Sequence, residues 1–84
     1  MKKITIYTGP LCNYCEAAKR LLARNKASYN EINIATVDGA MEEMIKRSNG
    51  KRTIPQIFFD NEHIGGYDEV RALEKENKLQ DLLK

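Results

Sequence analysis

Cys12 and Cys15 are the residues of this chain whose type and spacing are best suited to chemistry. They are the only cysteines among 84 residues and lie three positions apart, just after an apolar run. If they occupy the first turn of a helix, their side chains share one face, and the unpaired amides of the helix N-terminus lie beside Cys12. That environment favours the nucleophilic thiolate. The pair therefore predicts thiol–disulfide exchange, with Cys12 as nucleophile and the more deeply placed Cys15 as resolving thiol.

Two other uses of a cysteine pair compete with this interpretation. Cys-x-x-Cys at a strand-to-helix junction is a known redox context, which speaks against two inert core cysteines. A structural zinc site needs four ligands, whereas the chain offers two cysteines and one histidine, His63, which we expect at the surface of a hairpin. We therefore predict no metal site held by this chain alone.

Composition and charge narrow the class of protein further. The length suits a single domain over residues 1–84, and 42% hydrophobic with 31% charged residues is ordinary for a globular protein. A net charge of +2, with both signs interspersed, favours no nucleic-acid partner. No run approaches the roughly 18 apolar residues of a membrane span, and residues 1–3 precede no export-signal core. We expect a cytoplasmic protein with no membrane association.

Hydrophobic periodicity predicts the elements that position the cysteines. A strand over residues 3–8 precedes Gly9, and a helix runs from Cys12 to about Asn25. No conventional capping residue precedes this helix, so the Cys12 sulfur is expected to serve its first amides. A second strand over residues 29–34 leads to a second helix capped by Asp38. The inward residues of the two helices are Ala17, Ala18, Leu21 and Leu22, then Met41, Met44 and Ile45.

The second half of the chain predicts a hairpin and a closing helix. Residues 48–50 end the second helix, and a strand over residues 54–59 turns at residues 60–62 into a short partner strand. A helix beginning at Asp68 and a terminal helical turn follow. The order βαβαββα implies a parallel first strand pair with a right-handed crossover. We predict an α/β domain with a four-stranded mixed sheet and helices on both faces.

Four segments together resemble the glutaredoxin family, in order and spacing, over nearly the whole chain. They are residues 7–8 (Tyr-Thr), 12–15 (Cys-Asn-Tyr-Cys), 53–58 (Thr-Ile-Pro-Gln-Ile-Phe) and 64–68 (Ile-Gly-Gly-Tyr-Asp). The chain looks most similar to small bacterial dithiol members. The resemblance implies a thioredoxin-like fold and a monomeric enzyme that uses glutathione to reduce protein disulfides and glutathione mixed disulfides. It also implies roles in redox homeostasis and electron transfer, with ribonucleotide reductase among the candidate partners.

The resemblance also implies a glutathione groove. The matching proline of the family is cis and faces the cysteines, so we expect a cis Ile54–Pro55 bond and an Ile54 backbone open to an extended peptide. The family segment matching residues 66–68 holds the γ-glutamyl end of glutathione, while a plain helix cap is the other interpretation of Asp68. A groove-lining ring is expected at Tyr14, rather than one in open solvent. The implied binding residues are Tyr14, Thr53, Ile54, Pro55, Gly66, Tyr67 and Asp68.

Two residues depart from the family pattern. Gly9 stands where the family commonly carries a lysine for the glycyl carboxylate of glutathione, so Lys51 and Arg52 become candidates for that contact, or are simply solvated. Asn13 replaces the proline that would rigidify the first helical position, and we expect a shifted redox potential. Some relatives without this proline bind a 2Fe–2S cluster between two subunits. An iron–sulfur carrier is therefore one alternative function, and a redoxin reduced by thioredoxin reductase is the other.

Overall fold

Strands and helices alternate along the chain in the order βαβαββαα. The computed structural model describes residues 2–84. Its elements are β1 (Ile4–Thr8), α1 (Asn13–Arg24), β2 (Tyr29–Asn33), α2 (Ala40–Arg47), β3 (Gln56–Phe59), β4 (Glu62–Gly65), α3 (Tyr67–Lys75) and α4 (Leu79–Leu83). The predicted order is confirmed, including the terminal helical turn, which forms α4. Strand β3 begins two residues later than predicted.

The four strands form one sheet in the order β2–β1–β3–β4. Strands β1 and β2 are parallel, whereas β3 is antiparallel to both β1 and β4. Strand β4 consequently runs in the same direction as β1, so α1 and α3 both begin at the same end of the sheet. The predicted mixed sheet is confirmed, and its topology brings the first turn of α1 close to the corner between β4 and α3.

Each face of the sheet carries its own apolar cluster, because successive side chains of a strand point to opposite faces. Helices α1, α3 and α4 cover one face, where Ile4, Ile6, Ala18, Leu21, Leu22, Ile57, Phe59, Val70, Leu79 and Leu83 are buried. Helix α2 covers the other face, where Met44 packs with Tyr7 and Phe58. The prediction of helices on both faces is confirmed. Within residues 2–84, no helix is long and apolar enough to cross a membrane.

The start of α2 differs from its prediction. The residue that precedes the helix is Gly39, with φ at 76°, and no side chain caps the helix, so Asp38 is not the cap. The buried stripe runs through Ala40 and Met44, which are four residues apart and therefore lie on one helical face. Met41 falls at the edge of that stripe and is 40% exposed, so its predicted burial is wrong.

Candidate active site

Cys12 immediately precedes α1 and caps it with its own sulfur. The backbone amide of Cys15 donates to the Cys12 Sγ at 3.1 Å, which confirms the predicted capping role. The two cysteines are joined as a disulfide, with their Cα atoms 5.2 Å apart. Cys15 is 1% exposed, while Cys12 is only partly buried. A molecule arriving from solvent therefore meets the sulfur of Cys12 before that of Cys15.

The loop between β1 and α1 holds Cys12 against a second loop. A Cβ atom added at Gly9 would lie 2.7 Å from the Cδ1 atom of Ile54, so the side chain of Ile54 occupies the space beside Gly9. Leu11 adopts a left-handed backbone conformation, with φ at 54°, and its side chain is fully exposed next to Cys12. A side chain at position 9 would require Ile54 to move.

Residues 54 and 55 lie directly before β3 and beside Cys12. The Ile54–Pro55 peptide bond is cis, as the resemblance implies. The carbonyl oxygen of Ile54 lies 3.9 Å from the Cys12 Sγ. Pro55 itself is buried. The backbone of this segment therefore forms a wall beside the Cys12 sulfur.

A groove of about 570 Å³ extends from this wall to the start of α3. It brings together eight of the residues predicted to bind glutathione. They are Tyr14, Lys51, Thr53, Ile54, Pro55, Gly66, Tyr67 and Asp68. Five lining residues were not predicted: Gln56, His63, Ile64, Gly65 and Glu69. The groove thus joins segments that are distant in sequence into one concave surface beside Cys12.

Two tyrosines flank the groove at the beginnings of α1 and α3. The ring centroids of Tyr14 and Tyr67 lie 5.9 Å apart, with a tilt of 33° between the ring planes. Tyr14 is nevertheless 64% exposed. The expectation that its ring avoids solvent is wrong, because Tyr14 is the second residue of α1 and points away from the core. It lines the groove while its ring remains largely in solvent.

The beginning of α3 offers backbone donors and a carboxylate to the groove. Gly66, not Asp68, precedes the helix, and its amide donates to the side chain of Glu69. The other interpretation of Asp68, a plain helix cap, is therefore wrong, since Asp68 is the second helical residue and exposed. The amides of Tyr67 and Asp68 have no carbonyl partner within the helix. They, rather than the amide of Gly66, are the donors available to an anion.

Gly65 makes the Glu69 contact possible. Its φ of 129° is a conformation that L side chains rarely adopt, and an added Cβ would come within 2.6 Å of the Glu69 Oε1. A glycine at this position therefore lets the Glu69 side chain fold back over the corner between β4 and α3. Asp68 and Glu69 both line the groove.

The two candidate cations, Lys51 and Arg52, differ in their position relative to the groove. Lys51 lines the groove, whereas Arg52 is exposed and does not. Neither side chain forms an ion pair with another residue of the described range 2–84. Only Lys51 is therefore placed to meet a carboxylate bound beside residues 53–56.

Two of the lining residues that were not predicted, Gln56 and His63, form a hydrogen-bonded side-chain pair. Gln56 is 4% exposed, and its Nε2 donates to the carbonyl oxygen of Thr53 at 3.0 Å and to the Thr53 Oγ1 at 3.1 Å. The Gln56 Oε1 lies 2.7 Å from the Nε2 of His63. The His63 ring also packs against Phe58, with the ring centroids 5.0 Å apart. His63 is thus partly buried, so the expectation of a surface residue is wrong.

The surroundings of His63 favour its neutral form. Burial lowers the pKa of the imidazole, the Lys51 ammonium lowers it further, and the Glu69 carboxylate opposes both. The pair could have been suspected from one signal, a glutamine inside the otherwise apolar run of residues 54–59. Among residues 2–84, no group of three or more His, Cys, Asp or Glu side chains is arranged to hold a metal ion.

Comparisons with known proteins agree on one family. A family model described as Glutaredoxin matches residues 4–64. Glutaredoxin 3 of Escherichia coli (strain K12) is 46% identical over 84 residues, which cover 100% of both chains. The solution structure of glutaredoxin from Brucella melitensis aligns with a TM-score of 0.85 and 48% identity, over 100% of this chain and 90% of that one. A crystal structure of a buckwheat glutaredoxin–glutathione complex aligns with a TM-score of 0.86 and 27% identity, over 98% and 76% of the two chains.

Proposed function

The chain belongs to the glutaredoxin family, and on that premise we propose that it is a glutathione-dependent thiol–disulfide oxidoreductase. The observation that carries the proposal is the position of the cysteine pair, with Cys12 at the start of α1 and beside the groove. The similar buckwheat protein in complex with glutathione supports glutathione as the ligand of that groove. We infer that the protein acts as a monomer in the cytoplasm and supports cell redox homeostasis.

The proposed reaction begins with the Cys12 thiolate. It attacks the glutathione sulfur of a glutathionylated protein, the protein leaves as a thiol, and Cys12 becomes glutathionylated. A second glutathione attacks this mixed disulfide, releases glutathione disulfide and restores the Cys12 thiolate. With a protein disulfide, Cys12 first bonds to the protein. Cys15 then attacks the Cys12 sulfur and releases the reduced protein, and two glutathiones reduce the Cys12–Cys15 disulfide.

The groove supplies a partner for each charged group of glutathione. The amides of Tyr67 and Asp68 suit the γ-glutamyl carboxylate, and the Asp68 carboxylate suits the neighbouring ammonium. Lys51 is the cation for the glycyl carboxylate. The backbone of Thr53 and Ile54 can pair with the extended peptide. Disulfide-containing and glutathionylated proteins, including ribonucleotide reductase, are the proposed substrates.

A mixed-disulfide reduction assay with glutathione and glutathione reductase tests the proposal. The wild type is expected to turn over, Cys12→Ser to lose all turnover because it lacks the nucleophile, and Cys15→Ser to keep deglutathionylation but lose reduction of protein disulfides. Equal loss in both variants would contradict the assigned roles. Replacing the coupling system with thioredoxin reductase should give no turnover, and turnover there alone would favour the alternative redoxin.

An iron–sulfur carrier is the alternative function, because Asn13 replaces the proline of the family motif. The described residues offer no third ligand near Cys12 and Cys15, so a cluster would require a second copy of the chain and glutathione. Purification without oxygen distinguishes the two functions. We expect a colourless monomer, whereas a brown dimer whose absorbance is lost in Cys12→Ser would favour the carrier.

A further inference from the structure

Three residues that line the groove form a continuous hydrogen-bonded relay from β4 to the wall beside Cys12. His63 contacts Gln56, and Gln56 in turn holds both the carbonyl oxygen and the hydroxyl of Thr53. Thr53 lines the groove and directly precedes Ile54, whose carbonyl oxygen lies near the Cys12 sulfur. The cysteine chemistry proposed above uses neither Gln56 nor His63.

The carbonyl oxygen of Thr53 determines the direction of every hydrogen bond in this relay. The carbonyl oxygen of Thr53 can only accept, so the Gln56 nitrogen must face it and the Gln56 oxygen must face His63. The Gln56 oxygen can also only accept, so the proton of His63 must be on Nε2. Gln56 is almost fully buried, so its oxygen has no ready substitute for this donor.

We propose that His63 is a positioning residue for the exchange reaction: through Gln56 it fixes Thr53, and thereby the groove wall that holds glutathione beside Cys12. The inference rests on the proposed function of the groove. His63 acts at a distance from the reacting sulfurs, and its task is to keep the Gln56 amide in one orientation. The imidazole ring also packs against Phe58, with a tilt of 33° between the two ring planes.

The charges around His63 are compatible with this role at neutral pH. Lys51 approaches from the loop before β3 and Glu69 from α3, while Glu62 lies exposed on the same strand. The guanidinium of Arg47, on α2, also packs on the Phe58 ring, 4.2 Å from its centroid. Burial and Lys51 keep His63 neutral, and protonation at Nδ1 would leave the Nε2 donor in place. Turnover is therefore not expected to follow the titration of His63.

Two substitutions that introduce amide side chains of different length distinguish hydrogen bonding by His63 from simple packing of its ring. In His63→Gln the amide nitrogen lies about where Nε2 lies, so donation to Gln56 is kept although the ring is lost. In His63→Asn the amide nitrogen lies nearer the backbone, at the place of Nδ1, and cannot reach Gln56. His63→Leu keeps apolar contact with Phe58 but donates nothing. Asn25→Ala removes side-chain hydrogen bonds at the opposite end of α1 and serves as the control.

The experiment is steady-state reduction of the mixed disulfide of glutathione and 2-mercaptoethanol. We expect KM for the mixed disulfide to rise about three- to tenfold in His63→Leu and His63→Asn, the cost of one lost buried hydrogen bond, with kcat nearly unchanged. KM should return close to the wild-type value in His63→Gln and stay there in Asn25→Ala. An unchanged KM in His63→Leu, or no rescue by glutamine, would overturn the proposal.

A second measurement does not depend on activity. His63 is the only histidine of the chain, so the nitrogen NMR shifts of one imidazole report its tautomer without ambiguity. We expect the Nε2–H tautomer above the pKa, together with shifted Thr53 and Ile54 amide signals in His63→Leu that His63→Gln restores. A dominant Nδ1–H tautomer would refute the relay. An inactive wild type with the expected tautomer would instead refute the proposed function alone.

Discussion

Helices α1 and α3 run side by side, and their two ends are built differently. Their first turns meet at the groove, where Tyr14 faces Tyr67 and backbone amides remain open. Their last turns meet at the opposite end, where Arg24 forms two hydrogen bonds with Glu74, at 2.9 and 2.7 Å. The first end leaves groups unpaired for a ligand, whereas the second pairs its charges within the chain. We propose that the first ends of these two helices serve ligand binding and that their last ends serve stability.

The far end is a connected network rather than an isolated ion pair. Glu74 also accepts from Arg71 at 3.1 Å and from Asn25 at 2.7 Å, and the same Asn25 amide donates to the carbonyl oxygen of Leu21 at 2.8 Å. The Glu74 side chain is 19% exposed. Three donors on one carboxylate lower the pKa of Glu74 to about 2, with the Arg24 hydrogen bond as the largest cause. This network ties the end of α1 to α3.

Among the substitutions that test this difference between the two helix ends, Glu74→Ala is expected to have the largest effect. Removing the shared acceptor takes the carboxylate from Arg24 and leaves the Asn25 amide with only the carbonyl oxygen of Leu21, so the free energy of unfolding should fall by about 2 kcal/mol, while KM and kcat stay at wild-type values. Urea unfolding of the reduced protein measures the change. Glu76→Ala, which removes an exposed pair with Lys78, is the control and should change stability by less than about 0.5 kcal/mol. A loss of activity in Glu74→Ala would contradict the proposed separation of binding and stability between the two helix ends.

Acid should remove the same contribution. The folded pKa of Glu74 is lowered to about 2 from an ordinary 4.5, so its stabilisation is complete above pH 4.5 and is lost as the pH falls towards 2. The stability gap between wild type and Glu74→Gln should therefore shrink by about 1–2 kcal/mol between pH 6 and pH 2.5. Unfolding curves at both pH values measure this gap. A gap that is equal at both would show that the glutamate charge is not the stabilising feature.

At the groove end, Asp68→Asn should change binding and leave stability alone. The substitution keeps the size of the side chain and the open amides but removes the charge that we assign to the ammonium of glutathione. KM for the mixed disulfide should rise about fivefold, corresponding to one charge-assisted hydrogen bond. The unfolding midpoint should not move. Asp38→Asn, in the exposed turn before α2, is the control, and an equal rise in both variants would contradict the assignment.

Lys51→Ala should give the smallest effect. Its ammonium is exposed, so the loss of one carboxylate contact should raise KM only about two- to threefold at low salt, and less at high salt. Arg52→Ala is a matched control, because Arg52 is the next residue and also exposed but does not line the groove. Equal effects of the two substitutions would indicate a diffuse positive field in place of a contact.

Local patterns predicted the features that depend on local geometry. The capping of α1 by the Cys12 sulfur follows from the absence of another capping residue, and the element order follows from the change of hydrophobic period along the chain. The predicted cap of α2 is wrong because Asp38 and Gly39 are both acceptable residues before a helix. Met44 packs with Tyr7 and Phe58, and that contact lies outside any local window of the sequence.

The relay through His63 lay beyond sequence reasoning for a different reason. His63 meets Gln56 only in one register of the β3–β4 hairpin. That register depends on Asp60, which adopts φ at 53°, and on an irregularity between Ile57 and Phe58. A shift by one residue would turn His63 to the other face of the sheet. Residue types alone therefore indicate a buried polar glutamine but not its partner.

The tyrosine pair at the groove also gives the protein an intrinsic optical probe. The chain has no tryptophan and four tyrosines, so its fluorescence comes from tyrosine alone. Tyr7 is buried against Phe58 and reports on the core. Tyr14 and Tyr67 stand beside the groove, within one helical turn of Cys15 and Asp68 respectively. Emission of the unlabelled protein can thus follow occupancy of the groove and closure of the cysteine pair, with no dye attached.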